Sequence, residues 1–145
     1  MNHVLDNKKG TLVAVSSLQG KISVPFRSAY SASKHALQAL YDSLKVELSE
    51  HKEIKVCLVS PGYFQSNLSV NALTADGSSH GKVDFVASRI SSHKMAKQIF
   101  LDILNETCDS IQAPLIHKSL VYVRVLCPRL YFLILRLKAK AFEAK

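Results

Sequence analysis

Two short apolar runs that flank a long helical segment constrain the fold of this chain more than any other feature. Residues 11–15 (TLVAV) and 54–59 (IKVCLV) are rich in β-branched and aliphatic side chains, which is typical of strands buried on both faces. Between them, apolar residues recur every three or four positions from residue 28 to about residue 50. This spacing predicts a helix with Ser28 as its N-cap. A strand, a helix and a second strand in this order predict a parallel α/β sheet.

The rest of the chain continues the alternation and then changes character. Residues 60–62 (SPG) should end the second strand, and a long polar connection should follow it. Ser91 or Ser92 is expected to cap a helix that runs to residue 104, and residues 111–116 are expected to form a third strand. We therefore predict one α/β domain at residues 1–118.

The segment from residue 119 to residue 145 is apolar and basic. Its longest uncharged apolar run, residues 130–135, is too short to cross a membrane, and Pro128 should break or kink a helix there. Two interpretations stay open for this helical tail. It packs on the domain or on a second subunit, or it lies in a membrane surface with its basic side chains at anionic headgroups.

Charge and cysteine usage exclude several classes of function. The net charge is +8, but the basic residues are spread along the chain without a block of five, so we expect no nucleic-acid partner. The three cysteines are far apart and show no CxxC spacing, which argues against a disulfide framework and against zinc. The six histidines are scattered without HxxxH or HxH pairs, so we predict no metal site. The pattern of the cysteines indicates a reducing compartment.

The candidate chemistry lies where the first strand gives way to the helix. Tyr30 and Lys34 are four residues apart on the predicted helix, so their side chains share one face. A fixed ammonium group beside a phenol stabilises the phenolate, which lets the pair exchange a proton with a substrate oxygen. Ser17 directly follows the first strand, and its hydroxyl could hold that oxygen against Tyr30.

A second pair on the same helix has identical spacing. Tyr41 and Lys45 are also four residues apart, and Ser28 precedes Tyr41 by the interval that separates Ser17 from Tyr30. The context favours the first set, because Ser17 lies at the carboxyl end of a strand, where ligands of open α/β sheets bind. We interpret Tyr41 as a packing residue and Lys45 as a solvated one.

The chain resembles the short-chain dehydrogenase/reductase family in Ser17, Tyr30 and Lys34. It also resembles that family in the runs VAVSS (residues 13–17) and VSPG (residues 59–62). Residues 19–30 and 60–72 resemble one subgroup of it more particularly. The resemblance implies the C-terminal half of a Rossmann-type doubly wound parallel sheet. It also implies hydride transfer between NADP(H) or NAD(H) and a small carbonyl or alcohol substrate. The implied roles are general acid/base for Tyr30, nicotinamide-ribose binding for Lys34 and substrate orientation for Ser17.

The resemblance assigns further cofactor contacts and leaves one requirement unmet. Pro61 and Gly62, with Ser66 after three more residues, are implied to hold the nicotinamide end. The sequence contains no GxxxGxG or GxGxxG turn for the pyrophosphate. We therefore expect the cofactor half to be absent, and this chain to be incomplete and inactive by itself. The alternative is a truncated, non-catalytic half-domain that acts as an interaction or membrane-associated protein. The resemblance implies that the protein is located at the endoplasmic reticulum membrane or its cytoplasmic face, and the alternative is the cytoplasm. It also allows an oligomer.

Overall fold

The computed structural model describes residues 4, 6–74, 76–79, 81 and 90–143. Its strands are β1 (Gly10–Val15), β2 (Ile54–Pro61) and β3 (Asp109–Gln112). Its α-helices are α1 (Ser28–Glu47), α2 (Ser92–Leu104), α3 (Leu115–Leu126) and α4 (Pro128–Glu143), and a 3-10 turn (Leu18–Gly20) joins β1 to α1. The predicted alternation of strands and helices is confirmed. Residues 82–89 of the long connection, and residues 144–145 of the tail, lie outside the described residues.

The three strands form one parallel sheet in the order β1-β2-β3. Strand β2 is central: Gly10 to Val15 pair with Ile54 to Val59 on one side, and Leu58 to Pro61 pair with Asp109 to Gln112 on the other. Leu58 and Val59 are completely buried, as expected for the most apolar strand of a sheet covered on both faces. Because the strands are parallel, their carboxyl ends, which carry Ser17 and Gly62, lie at one edge of the sheet.

Several boundaries differ from the sequence-based expectations. Ser28 is the first residue of α1, and Arg27 occupies the N-cap position without a side-chain capping bond, so the predicted Ser28 cap is wrong. The helix ends at Glu47, before the expected residue 50. Strand β3 begins and ends earlier than residues 111–116, since Pro114 has no N–H for a sheet and instead takes the N-cap position of α3. The Ser91 cap of α2 is confirmed, because its side chain accepts from the N–H of Lys94.

The tail consists of two helices that separate at Cys127, with Pro128 as the first residue of α4. The break expected at Pro128 is therefore present. Tyr131 is 1% exposed and forms a hydrophobic cluster with Leu18 and Ile22. The division predicted between residues 118 and 119 falls within α3. Among the described residues, no helix combines the length and apolar character needed to cross a membrane.

Candidate functional site

Ser17 lies at the carboxyl end of β1. The backbone N–H of Ser16 donates to the carbonyl of Val59 at 2.8 Å, so the pairing of β1 with β2 continues to the residue before Ser17. The Ser17 side chain then caps the 3-10 turn, with its Oγ accepting from the N–H of Gln19 at 3.1 Å. This capping bond holds a half-buried hydroxyl at the edge of the sheet where the strands end.

Tyr30 and Lys34 occupy the first two turns of α1 and meet that edge. The Lys34 ammonium donates to the carbonyl oxygen of Val15, the last residue of β1, at 3.4 Å. The same nitrogen lies 5.7 Å from the centroid of the Tyr30 ring. A cation is thus held between a phenol and the strand end that leads into Ser17. The structure brings the three predicted residues to one place.

A buried hydrogen bond fixes the turn against the helix. The Oγ of Ser31 donates to Oε1 of Gln19 at 3.1 Å, and both side chains are buried. On the opposite side of the turn, the Oγ of Ser16 donates to the carbonyl of Lys34 at 3.5 Å. These bonds set where Ser17 lies relative to α1. Sequence reasoning missed them, because Gln19 reads there as an ordinary loop residue.

Gly20 permits the close approach of the turn to α1. A Cβ atom at this position would lie 2.8 Å from the carbonyl oxygen of Lys34 and 2.8 Å from Oγ of Ser16. Contacts that short require backbone to shift, so a side chain larger than hydrogen would push the turn away from the helix. The sequence offered one signal, a glycine between a strand and a helix, but not the partner that requires it.

The turn after β2 lies at the same edge. Pro61 ends the strand, and Gly62 donates its N–H to the carbonyl of Gln112 at 2.9 Å. The guanidinium carbon of Arg27 lies 5.8 Å from the centroid of the Tyr63 ring, so this turn touches the segment that enters α1. Ser66 is exposed, and its Oγ accepts from the N–H of Leu68 at 3.4 Å within its own loop. Gly62 is therefore near the start of α1, while Ser66 is held by local contacts.

The lysine of the rival pair is found at the other end of the sheet. Lys45 lines a cavity together with Ile54, the first residue of β2, and Val56. This is the amino-terminal end of the strands, opposite to Ser17. The geometry therefore separates the lysines of the two pairs that have identical sequence spacing.

A larger cavity, of about 430 Å³, opens on a different face of α1. The residues of α1 that line it are Ser28, Ser31, Ala32 and His35. These positions follow the three- and four-residue steps of one helical face, and Tyr30 and Lys34 belong to another. The proposed chemistry accordingly lies at the sheet edge and not in this cavity.

Comparison with known proteins gives a family and its relatives. The family model described as short chain dehydrogenase matches residues 1–77. Dehydrogenase/reductase SDR family member 7B of Mus musculus is 46% identical over 138 residues, which are 94% of this chain and 42% of that protein. Dehydrogenase/reductase SDR family protein 7-like of Drosophila melanogaster is 47% identical over 135 residues, or 92% of this chain and 41% of that protein. The chain thus spans less than half the length of these relatives, and the resemblance of residues 19–30 and 60–72 to this subgroup is confirmed.

Solved structures share the fold at low sequence identity. A short chain dehydrogenase from Burkholderia cenocepacia J2315, solved in complex with NADP, superposes with a TM-score of 0.67 at 19% identity, covering 92% of this chain and 50% of that chain. A short chain dehydrogenase/reductase from Burkholderia phymatum, in complex with NAD, gives a TM-score of 0.66 at 19% identity, covering 83% and 48%. These likenesses confirm the predicted fold class, half of a Rossmann-type parallel sheet with a helical C-terminal region.

Proposed function

We propose that this chain, which belongs to the short-chain dehydrogenase family, carries the proton-transfer residues of an NADP(H)- or NAD(H)-dependent oxidoreductase. The substrates of this oxidoreductase are a carbonyl/alcohol pair. The observation that supports this most is the Lys34 ammonium, which is 3.4 Å from the Val15 carbonyl and 5.7 Å from the Tyr30 ring. A cation fixed by a strand end beside a phenol is an arrangement suited to moving a proton.

The proposed roles follow from the chemistry of the three side chains. In the reducing direction, the Tyr30 hydroxyl gives its proton to the substrate oxygen, and in the oxidising direction the phenolate takes a proton from the alcohol. The Lys34 ammonium stabilises the phenolate charge during either step. The Ser17 hydroxyl orients the substrate oxygen by a hydrogen bond.

The residues at this edge fit the nicotinamide end of the cofactor. Lys34 has N–H donors beyond its bond to Val15, and it would hold the ribose hydroxyls, with Pro61, Gly62 and Ser66 near the ring. When bound, the nicotinamide supplies or accepts the hydride. The pyrophosphate needs a glycine-rich turn, which these 145 residues do not contain. We propose that catalysis therefore requires such a turn in addition to the residues of this chain.

Substitution of Lys34 tests the proposal. In the purified native protein, assayed with NADPH and NADH against a panel of aldehydes and ketones, Lys34→Met should lower kcat/KM about 100-fold. Methionine keeps the length of the stem and removes the charge that stabilises the phenolate. The matched control is Lys45→Met, which makes the same change at the opposite end of the sheet and should stay within about twofold. Equal losses in the two variants, or none in Lys34→Met, would count against the assigned role.

A second proposal concerns the tail: we propose that α3 and α4 also contact an anionic membrane surface. Large apolar side chains of both helices remain exposed, including Tyr122, Leu126, Phe132 and Leu137. Basic residues stand among them, namely Arg124, Arg129, Arg136, Lys138 and Lys140. Exposed apolar and cationic side chains together are the features of a helix that lies in an interface. The cytoplasmic leaflets of cell membranes supply the anionic lipid.

Charge removal tests this contact without disturbing the packed Tyr131. Replacing the exposed residues at positions 136, 138 and 140 with glutamine should lower the affinity for phosphatidylcholine/phosphatidylserine vesicles, measured by co-sedimentation, about 100-fold, because each cation contributes about 1 kcal/mol of binding free energy. The control replaces three exposed lysines outside the tail with glutamine: Lys9, Lys94 and Lys97. Equal recovery of the two triple variants, or recovery that does not depend on phosphatidylserine, would contradict the proposed surface.

A further inference from the structure

Two cysteines meet between the central strand and its neighbour. The Sγ atoms of Cys57 and Cys108 are 3.1 Å apart, although the residues are 51 positions apart in the sequence. Cys57 lies within β2 and is 1% exposed, while Cys108 directly precedes β3 and is half-buried. The backbone holds them side by side, because the carbonyl of Cys108 accepts from the N–H of Leu58 at 2.9 Å. The pairing of the two strands therefore fixes the two thiols as neighbours.

Cys108 also forms part of the wall of a cavity of about 240 Å³ at the amino-terminal end of the sheet. The charged residues that line this cavity are Lys45, Lys52 and Lys55, and His51 stands with them. Lys55 forms an ion pair with Glu106 at 3.1 Å, and this contact raises the pKa of its ammonium. Among the residues that the structure describes, no acidic residue lines this cavity. A positively charged opening beside a thiol favours the approach of an anionic reagent.

We propose that Cys57 and Cys108 form a reversible disulfide by exchange with an anionic disulfide, of the glutathione type, that enters this cavity. The proposal rests on the contact between the sulfurs and on the charge of the opening. It is independent of the oxidoreductase activity proposed above, because this cavity lies at the end of the sheet opposite to Ser17. Nothing in the proton-transfer chemistry of Tyr30 uses either thiol.

The hydrogen bond between the thiols assigns their order of reaction. Burial raises the pKa of Cys57 to about 12, and its bond to Cys108 adds to the rise, so Cys57 keeps its proton and donates it to the Cys108 sulfur. Cys108, which faces the cavity, is the attacking thiolate. It breaks the S–S bond of the reagent, forms a mixed disulfide and releases one thiol. The Cys57 sulfur then attacks Cys108 and breaks the mixed disulfide, and the Cys57 proton passes to the departing sulfur, which leaves as the second thiol.

The exchange is balanced and geometrically small. Two protein thiols are oxidised to one disulfide, and one reagent disulfide is reduced to two thiols. The sulfurs must close from 3.1 Å to the bonded distance of about 2.05 Å, which two side chains can share. The product closes a loop that contains α2. By constraining the unfolded chain, it should raise Tm by about 10 °C.

The first test maps the bond in the native protein. After incubation with glutathione disulfide, alkylation with N-ethylmaleimide and proteolysis, mass spectrometry should find a peptide pair that joins Cys57 to Cys108 and separates on reduction. Cys127→Ser should leave this result unchanged. Cys57→Ser should stop the reaction at a mixed disulfide on Cys108, with a mass increase of about 305 Da. The proposal fails if both thiols of the unsubstituted protein are alkylated after this treatment, whatever Cys127 carries.

The second test asks whether the cavity selects the reagent by its charge. At low ionic strength, glutathione disulfide should react with Cys108 about tenfold faster than cystamine, which is cationic, and high salt should reduce the difference. Lys52→Gln, a change at an exposed lining residue, should slow the reaction with glutathione disulfide and should not slow the reaction with cystamine. Equal rates for the two reagents at low salt would overturn the assignment of an anionic partner.

Discussion

Replacing Tyr30 with phenylalanine is expected to lower kcat of the native protein about 1,000-fold, because the phenolic proton is the one that moves in the proposed reaction. The substitution removes one oxygen and keeps the ring, whose centroid is 5.7 Å from the Lys34 ammonium. Ring packing and cofactor contacts made by Lys34 should survive. We therefore expect the Kd for the reduced cofactor, measured by fluorescence titration, to change less than about threefold while turnover is lost.

The chain contains its own matched control for this experiment. Tyr41→Phe makes the same chemical change on the same helix, and Lys45 stands four residues after it as Lys34 does after Tyr30. Since Lys45 belongs to the amino-terminal end of the sheet, Tyr41→Phe should keep kcat within about twofold. A catalytic Tyr30 is refuted if the Tyr30→Phe protein turns over at the unsubstituted rate. The same conclusion follows if the two variants lose activity equally.

Replacing Tyr131 with alanine should lower the free energy of unfolding by about 3–5 kcal/mol, the cost of deleting a large buried aromatic side chain. Tyr131 is 1% exposed and packs on Leu18 and Ile22. Its hydroxyl donates to the carbonyl of Ser23 and accepts from the N–H of the same residue, each at 2.9 Å. Alanine would leave a cavity and two backbone groups of Ser23 without their partner.

Urea unfolding of three variants separates these contributions. Tyr131→Phe keeps the packing and removes the hydroxyl, so it should cost about 1–3 kcal/mol. Phe132→Ala removes a neighbouring ring that is 59% exposed, and it should cost less than about 1 kcal/mol. If Tyr131→Ala were no more destabilising than Phe132→Ala, then α4 would not be docked on the 3-10 turn in solution.

The sequence predicted those features that depend on neighbours along the chain. Strands β1 and β2 are mostly apolar, and α1 has a regular helical spacing, so local pattern identified all three. Ser17, Tyr30 and Lys34 could be grouped because the carboxyl end of a strand and the first turns of the following helix must meet in such a unit. The same argument favoured Tyr30 over Tyr41. The structure places the lysine that follows each tyrosine, Lys34 and Lys45, at opposite ends of the sheet. The proton-transfer role itself stays a prediction.

The features that the sequence could not predict are contacts between distant residues. The Gln19–Ser31 bond and the close approach at Gly20 depend on how the turn lies on α1, which no local spacing encodes. Cys57 and Cys108 read as isolated cysteines, because only the pairing of β2 with β3 makes them neighbours. Strand β3 is short and not strongly apolar, so the apolar pattern that located β1 and β2 shifted its expected position.

The bond between Tyr131 and Ser23 joins residues 108 positions apart, and this separation has a consequence for synthesis on the ribosome. Ser17, Tyr30 and Lys34 are all translated before Tyr131, and local structure can form around them as soon as they emerge. The backbone of Ser23, in the loop between the 3-10 turn and α1, nevertheless gains its hydrogen bonds to the Tyr131 hydroxyl only after residue 131 has been translated. The surroundings of the candidate site are thus completed only after α4 has been translated. A chain that ends before α4 would carry Ser17, Tyr30 and Lys34 without the hydrogen bonds that tie down the neighbouring loop.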